Sequence, residues 1–307
     1  MSLHLAQDRT AVVPQALTHK TNQDEVLLDR WGRTGDDAFT VIARWPRTHA
    51  FYLTRDGLHD PLLLSETIRQ TLPLISHGAY EVPLGHQLLW HDFHWSLAPE
   101  ALAAGEGDAE IELRITCPDV TYRRTRAASI TLHVEALRDG TPLGTARTRF
   151  AIQDRAVYER LRGQYADIAA ANARAIPLAP PAPAAPVGRE SFADVVLSST
   201  DSANRWQLRA DSAHPVLFDH PVDHAPGMLL LEAARQSALA MAHPRPMTVV
   251  GMDSVFTRYV ELDSPCWVLA ESLPDDLAGR TRVRVVAEQN DAVLYSCVVT
   301  LAPVPAN

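Results

Sequence analysis

Cysteine is scarce in this chain, with three residues in 307, at positions 117, 266 and 297. They have neither the paired spacing of a disulfide framework nor that of a thiolate metal site, and the N-terminal residues lack the pattern of an export signal. We therefore expect reduced thiols in a cytoplasmic protein. The 13 histidines also lack metal-ligand spacing, so we expect no metal and no other cofactor.

The sequence also lacks long apolar runs and an excess of basic residues. No run reaches the roughly 18 apolar residues of a membrane-spanning helix. The net charge of −9 and the pI of about 5.8 argue against binding to nucleic acid or to acidic membranes. A hydrophobic content of 46% with 21% charged residues is typical of a globular protein.

The most informative stretch is PGMLLLEAARQ at residues 226–236. Glu232 and Arg235 are three residues apart and share one face of a helix. The helix start at Pro-Gly exposes backbone N–H groups that can hold a carbonyl oxygen or an anion. Because an ionised Glu is rarely buried without a partner, we predict an active site here. The alternative is a surface ion pair worth roughly 0.2–0.5 kcal/mol.

A second copy of this pattern, DPLLLSETIRQ, occupies residues 60–70. Glu66 aligns with Glu232 and Arg69 with Arg235, which indicates an internal duplication. The first copy has Asp60-Pro61 where the second has Pro-Gly. This difference favours the second half as the place of the chemistry, because glycine allows a substrate to approach closely.

The duplication extends to the whole chain. A linker with five prolines at residues 176–187 favours an extended spacer. We predict one repeat at 17–153, a helix plus linker at 154–187, and a second repeat at 188–304. Each repeat has one long apolar helix followed by antiparallel strands, so we predict an α+β fold of two hotdog units, each a sheet wrapped around a central helix. Pairing the two sheets edge to edge would cover exposed strand edges.

Local signals refine this picture. Residues 61–76 should form the first helix, kinked or shortened by Pro73. Residues 154–174 read as one polar helix. Asp139-Gly140 and Asn290-Asp291 are turn signals between strands.

Several longer motifs resemble the A-factor biosynthesis (AfsA-type) hotdog family, the synthases of butyrolactone and butenolide autoregulators. These motifs are THK at 18–20, EVLL at 25–28, WPRTHAFY at 45–52, DPLLLSETIRQ at 60–70, VPLGHQ at 82–87 and HPVLFDHPVDHAPGMLLLEAARQ at 214–236. The resemblance implies transfer of a β-ketoacyl group from an acyl carrier protein thioester to a hydroxyl of dihydroxyacetone phosphate. The ester would then close to a butenolide phosphate.

This implied reaction requires a general base, an oxyanion site and a phosphate partner. Glu232 is the candidate base, because a semi-buried position would raise its pKa towards neutrality. The N–H groups of Gly227 and Met228 suit the oxyanion. Arg235 either pairs with the phosphate or holds Glu232 ionised. No Ser or Cys lies in a nucleophile motif, which favours direct transfer over an acyl-enzyme.

Further substrate-binding residues are expected on both halves. They are Glu66, Arg69, His220, His224, Lys20 and Arg189. For Glu66 and Arg69 the alternatives are a second site, a phosphate clamp or a retained structural pair. Lys20 and Arg189 occupy equivalent positions and are expected near phosphate or carrier protein. For His220 and His224 the alternative is loop packing, and the aspartates beside them could cap the second helix.

Two other functions stay open. One is hydrolysis of acyl thioesters, and the other is a non-catalytic butyrolactone-binding regulatory protein. The oligomeric state is expected to be a monomer or a homodimer.

Overall fold

The computed structural model describes residues 10–305, and within them it contains two long and two short α-helices. The helices are α1 (Leu62–Gly78), α2 (Arg155–Arg162), α3 (Ile168–Ala173) and α4 (Gly227–Ala242). The strands before the linker are β1 (Ala11–Val12), β2 (Leu28–Gly35), β3 (Ala38–Trp45), β4 (Gln87–Leu97), β5 (Ala109–Arg123), β6 (Arg126–Arg138) and β7 (Thr141–Gln153). The strands after it are β8 (Leu197–Ser199), β9 (Arg205–Leu208), β10 (Met247–Phe256), β11 (Trp267–Leu273), β12 (Thr281–Gln289) and β13 (Ala292–Pro303).

All these strands join one antiparallel sheet in the order β1-β2-β3-β5-β6-β7-β4-β10-β13-β12-β11-β9-β8. Read from either end, the two halves have the same strand order apart from the short β1. They meet where β4 pairs with β10, with Trp95 opposite Met252. This edge-to-edge junction gives each half a partner in place of an open edge. The predicted double hotdog architecture is confirmed.

The two long helices lie inside this curved sheet. In α4, every residue from Met228 to Ala238 is buried, as expected for a helix without a polar face. Its neighbours are β8 and β10 to β13, whereas α1 contacts β2, β3 and β4. The helices also contact each other, so the elements carrying the two Glu-Arg pairs meet at the centre of the molecule.

Two predicted turns have the backbone that their residues favour. Asp139 and Gly140 have φ of 50° and 72°, and Asn290 and Asp291 have φ of 50° and 59°. Positive φ at both central residues matches the twist of a two-residue hairpin. Each turn therefore fixes the register of the strands beside it.

Two local predictions are wrong. Of the two effects expected of Pro73, the shortening does not occur, since α1 continues to Gly78 with Leu74 and Ile75 after the proline fully buried in the core; the kink stays a prediction. The polar helix expected over 154–174 is broken, because Gly163 adopts φ of 55° and ends α2. Such a conformation costs little for glycine.

The proline-rich segment packs against the second half of the chain. The Ile176 amide donates to the Leu262 carbonyl, and the Ala182 amide donates to that of Leu197. These contacts tie the segment to the second hotdog unit. The exact repeat boundaries stay a prediction.

Among residues 10–305, no helix is both long and apolar enough to cross a membrane. The same part of the chain contains no cluster of His, Cys, Asp or Glu suited to a metal ion. All three cysteines are free and buried.

Candidate functional site

Glu232 lies at the centre of a buried ionic cluster on α4. Its carboxylate accepts from Arg235 Nε and Nη2, both at 2.8 Å, and from Arg189 Nε at 2.9 Å. Gln236 Nε2 also donates to it. We call these four residues the Glu232 cluster. Glu232 is 0% and Arg189 3% exposed, so this carboxylate contacts protein groups and not solvent.

The first half contains the same arrangement on α1. Glu66 accepts from Arg69 Nε at 2.9 Å, from Gln70 Nε2 at 2.8 Å, and pairs with Lys20 Nζ at 3.1 Å. We call these four residues the Glu66 cluster. Lys20 and Arg189 thus hold equivalent positions, as the sequence predicted, and each reaches a glutamate rather than open solvent.

The glutamine of each cluster ties its helix to the turn that precedes β2 in the first half and β8 in the second. Gln70 accepts from the Leu27 amide and donates to the Glu25 carbonyl. Gln236 does the same with the Val196 amide and the Asp194 carbonyl. The duplicated L-L-x-E-x-x-R-Q pattern therefore encodes a structural unit as well as a polar site.

These contacts set the protonation of both glutamates. Burial by itself raises the pKa of Glu232, but the guanidinium groups of Arg189 and Arg235 outweigh it and lower that pKa to about 2. Arg69 and Lys20 likewise lower the pKa of Glu66 to about 2 against the effect of burial. The expectation that burial would bring Glu232 close to neutrality is wrong, because its cationic partners prevail. The contacts of Arg235 are those of the second role considered for it, the one that keeps Glu232 ionised.

Two cavities lie between the halves. Cavity A, of about 360 Å³, combines the start of α4 (Pro226, Gly227 and Met228) with Glu66 and Arg69 of the first half. Cavity B, of about 380 Å³, combines the start of α1 (Asp60 and Pro61) with Arg189 and Arg235 of the second half. Each helix start thus faces the polar cluster of the other half. The sequence pointed to Gly227 and Glu232 in one site, but Glu232 is absent from the lining of cavity A within the part of the chain that the structure describes.

The start of α4 is open. No side chain caps it, and across residues 10–305 the N–H groups of Gly227 and Met228 have no acceptor. They form a small electropositive surface at the end of the helix dipole. A Cβ on Gly227 would lie 2.6 Å from the Trp90 ring. The glycine is therefore needed for the packing of Trp90, and not for the approach of a substrate from that side.

The start of α1 is closed by its own residue. Asp60 accepts from the Leu62 amide at 2.9 Å. Its other carboxylate oxygen lies 4.0 Å from Arg189 Nη1 and 3.9 Å from Arg235 Nη1. A carboxylate of the protein thus occupies the place in cavity B that an anionic ligand would take.

In cavity A the equivalent position is free. Arg69 keeps 22% of its side chain exposed, and its Nη1 has no hydrogen-bond partner within the described residues. Glu66 and Asp219 are carboxylates near Lys20 and Arg69 at this end of cavity A, and Arg69 Nη1 offers a donor to an anionic ligand. The opposite wall is apolar, with Leu88, Leu89, Trp90, Val222, Met228, Leu230 and Phe256.

Four histidines line cavity A, namely His19, His91, His220 and His224. His19 forms a 2.9 Å hydrogen bond with His77, and burial, together with His77 and Arg69, lowers the pKa of His19 to about 4. His220 lies 3.3 Å from Asp219, and His224 lies 2.6 Å from Asp223. The predicted residues His220 and His224 are thus brought to the same cavity as Glu66 and Arg69.

Neither aspartate of this loop caps α4, contrary to the alternative considered. Asp219 accepts from the backbone amides of Thr21 and Asn22. Asp223 is bound by Tyr158 and Arg162 of α2. No local pattern predicts these partners, because they lie 198 and 65 residues away along the chain.

Comparisons with known proteins identify a family of hotdog proteins, in agreement with the fold described above. A family model described as "A-factor biosynthesis hotdog domain" matches residues 1–154 and 170–305. A 2-oxo-3-(phosphooxy)propyl 3-oxoalkanoate synthase of Streptomyces virginiae is 44% identical, over 94% of this chain and 97% of that protein. A protein of the same name from Streptomyces coelicolor is 38% identical, over 94% and 91%.

Solved structures match at the level of the fold. An oleoyl thioesterase (putative) of Lactobacillus plantarum superposes with a TM-score of 0.55 at 12% identity, covering 89% of this chain and 99% of that one. The 12:0-ACP thioesterase of Umbellularia californica gives 0.55 at 8% identity, covering 86% and 94%. Similarity this low supports the fold and carries no information on the reaction.

Proposed function

This chain belongs to the A-factor biosynthesis hotdog family, and from that premise we propose that it is an acyltransferase producing a 2-oxo-3-(phosphooxy)propyl 3-oxoalkanoate. The substrates are a β-ketoacyl thioester, carried by an acyl carrier protein, and dihydroxyacetone phosphate. The product ester closes to a butenolide phosphate, the precursor of a butyrolactone-type signal. The enzyme works in the cytoplasm, as a monomer or a homodimer.

The balanced reaction is a transfer between two heteroatoms. The hydroxyl oxygen of dihydroxyacetone phosphate attacks the thioester carbonyl, a C–O bond forms and the C–S bond breaks. The hydroxyl proton finally reaches the thiolate sulfur. The reaction needs an apolar surface for the acyl chain, donors for the tetrahedral oxyanion and a cationic site for the phosphate.

The observation that carries the proposal is the composition of cavity A, which offers all three. The N–H groups of Gly227 and Met228 are free donors at the start of α4. Lys20 and Arg69 supply positive charge, and Arg69 Nη1 is free to bind a phosphate oxygen. The apolar wall around Trp90 receives the acyl chain.

On this proposal the predicted residues divide between the two cavities. Gly227 keeps its expected role, and Arg69 and Lys20 bind the phosphate beside Glu66. Glu232, Arg235 and Arg189, predicted from sequence to be catalytic or substrate-binding residues, instead hold α4 against the first half. Cavity B does not take the phosphate, because Asp60 already faces its arginines.

The test uses mass spectrometry and a matched pair of variants. The protein is incubated with a β-ketoacyl thioester and dihydroxyacetone phosphate, and the phosphorylated ester or its dehydrated butenolide is the expected product. Arg69→Met should raise KM for dihydroxyacetone phosphate by about tenfold or more, because a hydrogen bond between charged groups is worth roughly 1.5–3 kcal/mol. Arg235→Met removes the equivalent guanidinium of the other half and should leave that KM within about twofold in the folded protein.

Other outcomes identify the alternatives. Free β-keto acid released equally with and without dihydroxyacetone phosphate would indicate a thioesterase. No turnover, with a butyrolactone bound, would indicate a regulatory protein. A rise of KM in Arg235→Met but not in Arg69→Met would contradict the assignment of the phosphate to cavity A.

A further inference from the structure

The loop before α4 carries an imidazole held in one orientation. His224 lies two residues before Pro226 and lines cavity A. Its Nδ1 is 2.6 Å from Asp223 Oδ1, and the Tyr259 ring packs against it edge-on with centroids 4.7 Å apart. The imidazole therefore lines the same cavity as Gly227 and Met228 at the start of α4.

Asp223 is itself fixed by residues from a distant element. It is 4% exposed and accepts from Tyr158 Oη at 2.7 Å and from Arg162 Nε at 3.0 Å. Arg162 also binds Glu261 through both terminal nitrogens. Burial raises the pKa of Asp223, but His224, Tyr158 and Arg162 outweigh it and lower that pKa below its usual range. Asp223 is thus a carboxylate.

A carboxylate at Nδ1 selects the imidazole tautomer. The Nδ1–H group donates to Asp223, so the lone pair lies on Nε2. Within residues 10–305 Nε2 has no protein partner, and a quarter of the His224 side chain is exposed. This nitrogen can accept a proton from a molecule in cavity A.

We propose that His224 is the general base of the acyl transfer and that Asp223 is its positioning residue, held in place by Arg162 and Tyr158. The proposal rests on the function proposed above. As the hydroxyl oxygen bonds to the thioester carbon, its proton moves to Nε2 of His224. When the C–S bond breaks, the imidazolium returns the proton to the thiolate sulfur, and Asp223 stabilises the charged ring in between.

The other groups of cavity A are less suited to this step. Lys20 and Arg69 stabilise Glu66 as a carboxylate. Glu66 is therefore a weak base and a poor proton acceptor. His19 donates to a second imidazole and lies near Arg69, so positive charge on its ring is disfavoured.

His220 has a weaker orienting contact than His224. Its partner Asp219 lies 3.3 Å away and already accepts from the amides of Thr21 and Asn22. The His220 side chain is 43% exposed. Only at His224 is an imidazole within the described residues of cavity A joined closely to a buried carboxylate.

The experiment measures kcat and KM of His224→Ala with both substrates. We expect kcat to fall about 10²–10⁴-fold, the usual range for a general base, with KM changed less than about threefold. Added imidazole should restore part of the rate, which a purely structural residue would not allow. His94→Ala is the control, because His94 also pairs with an aspartate, Asp253 at 3.2 Å, but lies outside cavity A. It should keep wild-type kcat.

Asp223→Asn tests the positioning role through the pH profile of kcat. The charged groups near His224 are Asp223, Arg162 and Glu261 across the loop, and Arg258 at the cavity wall, with Tyr259 packed edge-on against the ring. Without the carboxylate the imidazolium loses its partner, so the acid limb of the profile should move to lower pH while kcat falls. If Asp223→Asn does not fold, the measurements on His224→Ala are sufficient to test the proposal.

The outcomes separate this inference from the proposed function. No phosphorylated ester from the wild-type enzyme would overturn both. Transfer by the wild type that persists in His224→Ala within about threefold would overturn the inference alone. So would a loss confined to KM, a loss without imidazole rescue, or rescue of His220→Ala in place of His224→Ala.

Discussion

Replacing Glu232 with glutamine should destabilise the whole protein, because two arginines depend on that carboxylate. Glu232 is fully buried and accepts from Arg189 and Arg235 at 2.8–2.9 Å. In Glu232→Gln the amide oxygen can accept from one guanidinium, but the amide NH₂ faces the other. Two buried cations then share a single remaining carboxylate, that of Asp60, at 3.9–4.0 Å.

The structure sets the size of this effect. Breaking a buried ion pair from one side costs roughly 3–5 kcal/mol, and the presence of Asp60 favours the lower end. The pKa of Glu232, lowered from the usual 4.5 to about 2, corresponds to about 3 kcal/mol at neutral pH. We expect the free energy of unfolding to fall by about 3 kcal/mol.

Urea unfolding followed by tryptophan fluorescence measures this change. Glu271→Gln is the control, since Glu271 pairs with Arg284 at 3.1 Å on the surface with 59% of its side chain exposed. That variant should lose less than about 1 kcal/mol. If Glu232→Gln is as stable as the control, the cluster does not hold α4 in place. A loss of activity in a fully stable Glu232→Gln would instead favour the catalytic role predicted from sequence.

Three further predictions concern packing, acidity and thiols. Gly227→Ala should lower the free energy of unfolding by about 1–3 kcal/mol, because its Cβ would lie 2.6 Å from the Trp90 ring. Gly107→Ala is the control, since its Cβ would have nothing within 4 Å, and it should lower the melting temperature less. Glu66 and Glu232 have lowered pKa values near 2, so the stability they contribute is present above about pH 4.5 and is lost as the pH falls towards 2; equal urea midpoints at pH 6 and pH 3 would contradict this. The three cysteines are buried, and burial raises their pKa values to about 11 or 12, so a disulfide reagent should label them only after unfolding, and rapid labelling of the native protein would show that the core opens.

The sequence by itself determined the helices and turns that depend on residues close to one another along the chain. The pattern L-L-x-E-x-x-R-Q, present twice, predicted two buried helices and the equivalence of Glu66 with Glu232. The turn at Asp139-Gly140 followed from the backbone preferences of its own residues. These features were predictable because a helix face, a turn or a repeat is set by short spacings along the chain.

Local prediction failed where packing competes with propensity. Pro73 lies inside α1 because burial of the following turn outweighs the lost hydrogen bond. Gly163 ended a helix that periodicity alone would have continued. In both places the outcome depended on contacts or backbone angles that no short window of sequence specifies.

Only the tertiary structure decided which residues share a cavity. Gly227 and Glu232 are five positions apart on α4. The pairing of β4 with β10 nevertheless places Gly227 in the same cavity as Glu66, whereas the arginine that pairs with Glu232 lies near Asp60. The sign of the Glu232 pKa shift follows in part from the same placement, since it depends on Arg189, 43 residues earlier in the chain, as well as on Arg235. Charge and solvation at a site are sums over neighbours in space, and the arrangement of the two halves sets those neighbours.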